Sequence, residues 1–142
     1  MSELFHAATA EVAVPAVRAF EYLGDGIRQG DWTLGSWDRE RVGDDLFRGR
    51  SLYNGREVYV RILRDPERLI VDYEVGPAPE SLIRRISARV VDGPTLRRAE
   101  GTCVVTLMVW RTPDQDDEAW RQVGEIHRAE MHLIKGRLEL GF

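Results

Sequence analysis

His127 and Glu130 are the side chains in this sequence whose types and spacing most invite acid–base chemistry. Three residues apart, they meet on one face if the segment is helical. An imidazole beside a carboxylate favours its protonated form, and a carboxylate facing a cavity can polarise a ligand hydroxyl or enolise a ketone. The competing reading is structural: a half-buried histidine with a satisfied hydrogen bond, and a flank glutamate paired with Arg137 or a strand arginine. A zinc reading needs a third protein ligand. His132 projects to the other side of the helix and His6 is the one other histidine, so neither a metal nor a cofactor is expected. Tyr59, Tyr73, Trp110 and Trp120 fall at or near interior-facing positions, where aromatics either line a pocket or build a core. Tyr73 has the cleanest strand alternation and is the best candidate for a pocket hydroxyl. The expected ligand-binding set is therefore Tyr73, Trp110, Trp120, His127, Glu130 and Met131, and no residue is assigned to catalysis. Arg61 and Arg89 lie in strands and either anchor an acidic group or sit on a solvated face. Arg84-Arg85 and Arg97-Arg98 read as short surface pairs. No serine lies in a Gly-x-Ser-x-Gly elbow, and no glycine-rich phosphate loop is present.

Those residues need elements to hold them. From Asp116 to Leu140 the spacing predicts one long helix. At about 100° per residue, Trp120, Val123, His127, Met131, Ile134 and Leu138 share a face, widened by Ile126, Leu133 and Leu140. Asp116, Asp117 and Glu118 suit its positive end, and Asp114 or Asp116 can cap it. A first strand runs from about Leu4 to Val14, with His6, Ala8 and Ala10 leaving room beneath whatever packs on them. Pro15 suits the start of a helix in which Val17, Phe20 and Leu23 repeat, and Gly24-Asp25-Gly26 ends it before a short turn over 27–30. Beyond Trp32 the period is two. Strands are expected near 32–42, 46–53, 57–65, 69–75, 83–91 and 102–111. Asn54-Gly55 predicts a type I′ hairpin turn, and Gly76-Pro77-Ala78-Pro79 is a break. Leu69, Val71, Tyr73 and Val75 should face inward. The last strand is apolar on both faces, with Thr102, Val104, Thr106, Met108 and Trp110 on one and Cys103, Val105, Leu107 and Val109 on the other. Such a strand wants cover on both sides. The helix is one cover; a partner subunit, giving a homodimer, or an overhanging loop is the other. A helix lying across a curved sheet encloses a cavity, so the chain reads as a container for an apolar small molecule.

At 142 residues the chain suits one domain spanning 1–142. A net charge of −4 with interspersed signs argues against nucleic acid as a partner. No window approaches the ~20 apolar residues of a membrane span, and no signal-like start is seen; a cytoplasmic location is the expectation. The single cysteine, Cys103, lies in an apolar run and reads as a buried inert thiol.

The layout also resembles a known superfamily. Val14-Pro15-Ala16-Val17-Arg18-Ala19-Phe20 looks like the opening of START-like (SRPBCC) proteins, where a first strand feeds a helix. Leu23-Gly24-Asp25 followed by Trp32 is similar to their helix-to-strand passage. Asp65-Pro66-Glu67-Arg68-Leu69 resembles the turn before their fifth strand. Glu118-Ala119-Trp120 through Ile134-Lys135-Gly136-Arg137-Leu138-Glu139 resembles their final helix. The resemblance implies an α+β helix-grip fold: a curved seven-stranded antiparallel sheet around a long C-terminal helix, with one or two short helices after strand 1. It places Trp32 and Trp37 near the mouth of a cavity that takes a lipid, polyketide or aromatic molecule. The glycine-rich loop of some members is reduced here to Gly43-Asp44-Asp45. No universal catalytic motif carries over, so the fold supports a pocket more than a reaction. Two other functions stay open: a cyclase, dehydratase or isomerase acting on a polyketide-like substrate through His127, Glu130 and Tyr73, and a co-chaperone-like interaction module.

Overall fold

The period-two stretch forms six consecutive antiparallel strands, and the first strand joins them at the far edge. The computed structural model describes residues 3–142. In chain order these are β1 (Phe5–Val12), α1 (Ala16–Leu23), a 3₁₀ turn (Arg28–Asp31), β2 (Trp37–Gly43), β3 (Leu46–Arg50), β4 (Glu57–Asp65), β5 (Ile70–Gly76), β6 (Ile83–Asp92), a second 3₁₀ turn (Pro94–Leu96), β7 (Cys103–Trp110) and α2 (Asp117–Leu140). The single sheet runs β1-β7-β6-β5-β4-β3-β2. This is the seven-stranded meander and long terminal helix that the sequence predicts.

The ends of α2 are set by local chemistry. Asp116 is its cap, accepting a 2.8 Å hydrogen bond from the Ala119 N–H, which satisfies one of the helix's free donors. Gly141 ends it at φ 73°, its N–H bonding the Arg137 carbonyl, as the left-handed cap requires. The small residues of β1 let α2 come close. Lys135 Nζ donates to the Glu11 carbonyl at 2.6 Å, and the Ala13 N–H donates to Glu139 Oε2 at 2.8 Å.

Several boundaries differ from expectation. Residues 32–36 form turns after the 3₁₀ segment, with the Trp32 and Thr33 N–H groups both donating to the Gln29 carbonyl. Residues 51–53 leave β3 because the Leu52 N–H bonds the Leu34 carbonyl at 3.0 Å, away from the ladder. Asn54-Gly55 is accordingly not a two-residue type I′ turn. Gly55 takes φ 70° but Asn54 stays outside the left-handed region, and the Asn54 side chain accepts from the Arg56 N–H. In α1, Val17 is exposed while Ala16, Ala19, Phe20 and Leu23 are buried. On α2, Leu133 and Leu140 are exposed rather than part of the buried face.

The core lies in the concave face of the sheet. Cys103, Val105, Leu107 and Val109 of β7 are fully buried, as are Val71 and Tyr73 of β5. Phe20 and Leu23 of α1 and Met131, Ile134 and Leu138 of α2 join the same cluster. The C-terminal half of α2 is therefore packed solidly. Any hollow must lie under its N-terminal half.

Candidate functional site

Beneath the N-terminal half of α2 the packing opens into two joined spaces. The inner one, about 100 Å³, lies between Val123, Ile126, His127 and Glu130 of α2 and Ile86 and Leu107 of the sheet. The outer one, about 370 Å³, is walled by Val58, Val75 and Ile86 and by the segments around Thr33 and Tyr53. Gln29, Thr33, Gly35, Tyr53, Arg85 and Ile86 line both, so the two form one cleft from the surface to His127. The inner space alone is below the roughly 300–1,000 Å³ of a small-molecule site; the outer one is within it.

Glu130 closes the deep end. It is 4% exposed, and its Oε2 accepts the Leu34 N–H at 2.8 Å and the Thr33 hydroxyl at 3.1 Å. That carboxylate ties the 32–36 segment to α2. Burial pushes its pKa up to about 7, against those two hydrogen bonds and the Arg39 charge, which favour the ionised form. His127, 6% exposed, has Nε2 3.9 Å from Glu130 Oε1. The protonated imidazole that a neighbouring carboxylate would favour is opposed here by burial. Burial first, then the fields of His6 and Arg85, hold the His127 pKa down to about 4. Removal from water disfavours the charge on both groups, and for Glu130 it outweighs the Leu34, Thr33 and Arg39 interactions. The pair is a neutral imidazole beside a carboxyl that titrates near neutrality. A carboxyl that titrates near neutrality can carry or release a proton.

Four buried polar atoms around this cleft have no protein partner: Trp32 Nε1, Ser36 Oγ, Arg39 Nη2 and His127 Nδ1. Trp32 and His127 line the inner space, Ser36 and Arg39 the outer. Arg39 is clamped by the Ser36 and Gly26 carbonyls and Gln29 Oε1. Each of these atoms is shut off from solvent, so they are unsatisfied groups behind the cleft wall rather than contacts offered to a ligand.

Arg85 is the residue that sequence reading missed. Tyr73 pairs with Ile86 and Glu74 with Arg84, which leaves Arg85 as the extra residue of a β-bulge in β6. Val90, Ala88 and Ile86 alternate inward opposite Val105, Leu107 and Val109. Unbroken alternation would aim Arg84 inward and Arg85 out. The bulge reverses this: Arg84 pairs with Glu74 on the exposed side, and Arg85 lines both parts of the cleft. Arg84-Arg85 is therefore not a surface pair. A bulge leaves no mark in the period of a sequence, and only two adjacent arginines mark the place.

Of the expected ligand-binding set, His127 and Glu130 come together on the cleft. Tyr73 does not join them. It is fully buried, its hydroxyl donates to the Leu23 carbonyl at 2.6 Å, and its ring meets Trp32 edge-on at 6.3 Å. Its hydroxyl anchors the end of α1. Met131 packs in the core. Trp120 is buried at a separate polar trough beside His6 and Arg111. Trp110 lies on the convex face, 43% exposed and packed on Phe5, because the inward positions of β7 are the odd-numbered ones from Cys103 to Val109. Trp37 and Arg89 are exposed, and Arg61 sits 3.9 Å from Glu74. Cys103 is fully buried and its thiol is pushed up to about 11 by burial.

Solved structures share this architecture over nearly the whole chain. A START superfamily protein from Mycobacterium smegmatis superposes with a TM-score of 0.69 at 13% identity, covering 99% of this chain and 100% of that one. The aromatase/cyclase Zhui from Streptomyces sp. R1128 gives 0.65 at 20% identity, covering 95% and 93%. Aha1 from Colwellia psychrerythraea, solved as a dimer, gives 0.69 at 16% identity, covering 98% of each chain. This chain has the START-like helix-grip fold. No protein-family model matches the chain, nor does any curated protein. The helix-grip frame accounts for where the cleft lies: the grip is tight along the second half of α2 and open along the first. Among the described residues, no helix is long and apolar enough to cross a membrane.

Proposed function

We propose that the protein binds a hydrophobic small molecule, of lipid, polyketide or aromatic type, in the cleft between the sheet and the N-terminal half of α2. The observation that carries this reading is the continuity of an apolar-walled space from the surface to His127 and Glu130. The START superfamily and aromatase/cyclase neighbours support it by fold. Affinity comes from apolar area removed from water, at roughly 25 cal/mol per Å² before the cost of association. Orientation comes from polar side chains that line both spaces, Thr33, Tyr53 and Arg85. Burial of the guest gives binding a negative heat-capacity change.

Calorimetric titration with neutral aromatic and alkyl ligands, such as 2-naphthamide and decanamide, tests this. At least one should bind saturably with one-to-one stoichiometry, and Ile126→Trp, which fills the inner space from α2, should weaken it at least tenfold. Absence of saturable binding by these ligands and by their carboxylate forms would remove the reading, as would a folded Ile126→Trp variant that binds unchanged.

A further inference from the structure

Among the cations that line the cleft, two are held only by neutral acceptors. Arg85 donates from Nε to the Trp110 carbonyl at 3.4 Å and from Nη2 to Gln115 Oε1 at 3.1 Å. Its Nη1 has no protein partner among the described residues. Arg39 is held by two carbonyls and an amide oxygen. Neither forms an ion pair among the described residues. Elsewhere on this molecule arginines readily find acids: Arg84 meets Glu74 at 3.2 Å, Arg64 meets Asp45 at 2.9 Å and Arg98 meets Glu11 at 3.1 Å. The acids near the cleft are otherwise engaged. Glu130 is satisfied by Leu34 and Thr33, Glu57 faces Arg48 at 3.8 Å, and Asp114 takes the Thr112 hydroxyl at the rim. A third arginine, Arg56, stands on the outer wall.

We infer, building on the cleft reading above, that the natural ligand carries a carboxylate, which docks on Arg85 at the neck between the two spaces while its apolar body lies along Val58, Val75 and Ile86. Three features converge on this. The β-bulge uses one residue of β6 to turn Arg85 inward. The Trp110 and Gln115 contacts fix the guanidinium plane, so little side-chain freedom is lost when an anion arrives. Arg85 is partly desolvated, and the counter-charge it feels, Asp114 at the rim, makes no ion pair with it; such a cation favours an anion over a neutral group of the same shape. A guanidinium edge with a free Nη1 takes a carboxylate oxygen directly. Arg39 lines the same outer space and adds to its positive field.

The test compares acid and amide forms of one scaffold: 2-naphthoate against 2-naphthamide, and decanoate against decanamide, at pH 8. The acids should bind at least tenfold more tightly than their amides, and added salt should narrow that gap. Arg85→Gln should abolish the preference; Arg84→Gln, on the outward neighbour, should leave both the preference and the amide affinity of wild type intact. If Arg85→Gln fails to fold, the acid–amide ratio and its salt dependence in the wild-type protein still decide. Equal affinity of acid and amide in the wild-type protein overturns the carboxylate inference while the cleft stands. Binding by neither form of either scaffold overturns both.

Discussion

At the residue scale, His127 and Glu130 pull stability in opposite directions as pH changes. Glu130 titrates near 7 in the folded protein, above the carboxyl's ordinary 4.5. The native state then binds a proton that the unfolded state has lost, so this contribution is complete below about pH 4.5 and is lost as pH rises through about 7. His127 titrates near 4, below its ordinary 6.5. The unfolded state binds the extra proton, so its contribution is present above pH 6.5 and lost as pH falls toward 4. Between about pH 4.5 and 6.5 the two slopes oppose each other. His6, lowered by its own burial and by Arg128, acts in the same sense as His127. Removing either partner exposes the other's slope. Urea unfolding from pH 4 to 8 should show Glu130→Gln gaining on wild type as pH rises, by no more than about 4 kcal/mol at roughly 1.4 kcal/mol per pKa unit. His127→Gln should lose ground relative to wild type over the same rise, by a similar ceiling. Parallel pH curves for all three proteins would mean that neither group changes its affinity for protons on folding.

At the element scale, α2 and the β5–β6 connection differ in how they treat a side chain added to glycine. Gly136 lies on α2, and a Cβ there meets nothing within 4 Å. Gly136→Ala should therefore stabilise the protein by about 1 kcal/mol, the difference in helix propensity, read as a raised Tm. A Cβ on Gly76 would sit 1.8 Å from the Ser81 carbonyl oxygen. Gly76→Ala forces backbone to move at the end of β5 and should destabilise by more than Gly136→Ala stabilises. A Gly76→Ala protein as stable as wild type would contradict that contact. The same elements explain what was legible in the sequence. The order of strands, the break at Gly76-Pro77, the inward set of β5 and the Asp116 cap follow from period and punctuation, which are local. The faces of β7 are not local: Val104 and Met108 make its outer side nearly as apolar as its inner one, so alternation alone could not place Trp110. The end of β3 depends on Leu34, far from it in sequence. The bulge at Arg85 depends on how β5 pairs with β6, and so the best-placed cation of the cleft could not be read from its own segment.

At the scale of the whole molecule, the chain's two ends close one sheet. β1 pairs with β7, and β7 pairs in turn with β6. Cys103 opens β7 at this junction, with neighbours on both sides: Val12 on β1 and Asp92 on β6. Cys103 is fully buried and belongs to the same core cluster as residues of α1 and α2. Its pairing with β1 and β6 and its place in the one continuous core mean that a reagent reaches it only when that core opens. Thiol alkylation therefore reports the opening of the whole fold rather than of a loop. Iodoacetamide at pH 8 should modify native Cys103 at least about a thousandfold more slowly than the unfolded chain, given the usual stability of a domain. A ligand in the cleft touches no atom of Cys103, yet it binds only the folded chain. At a hundredfold excess over its Kd it should slow alkylation by about a hundredfold through mass action, provided opening and closing are fast relative to labelling. Slowing by ligand would tie the cleft to global stability through a side chain on β7 outside it. Fast labelling of the native protein would instead show that the β1–β7 seam opens separately from the rest of the sheet.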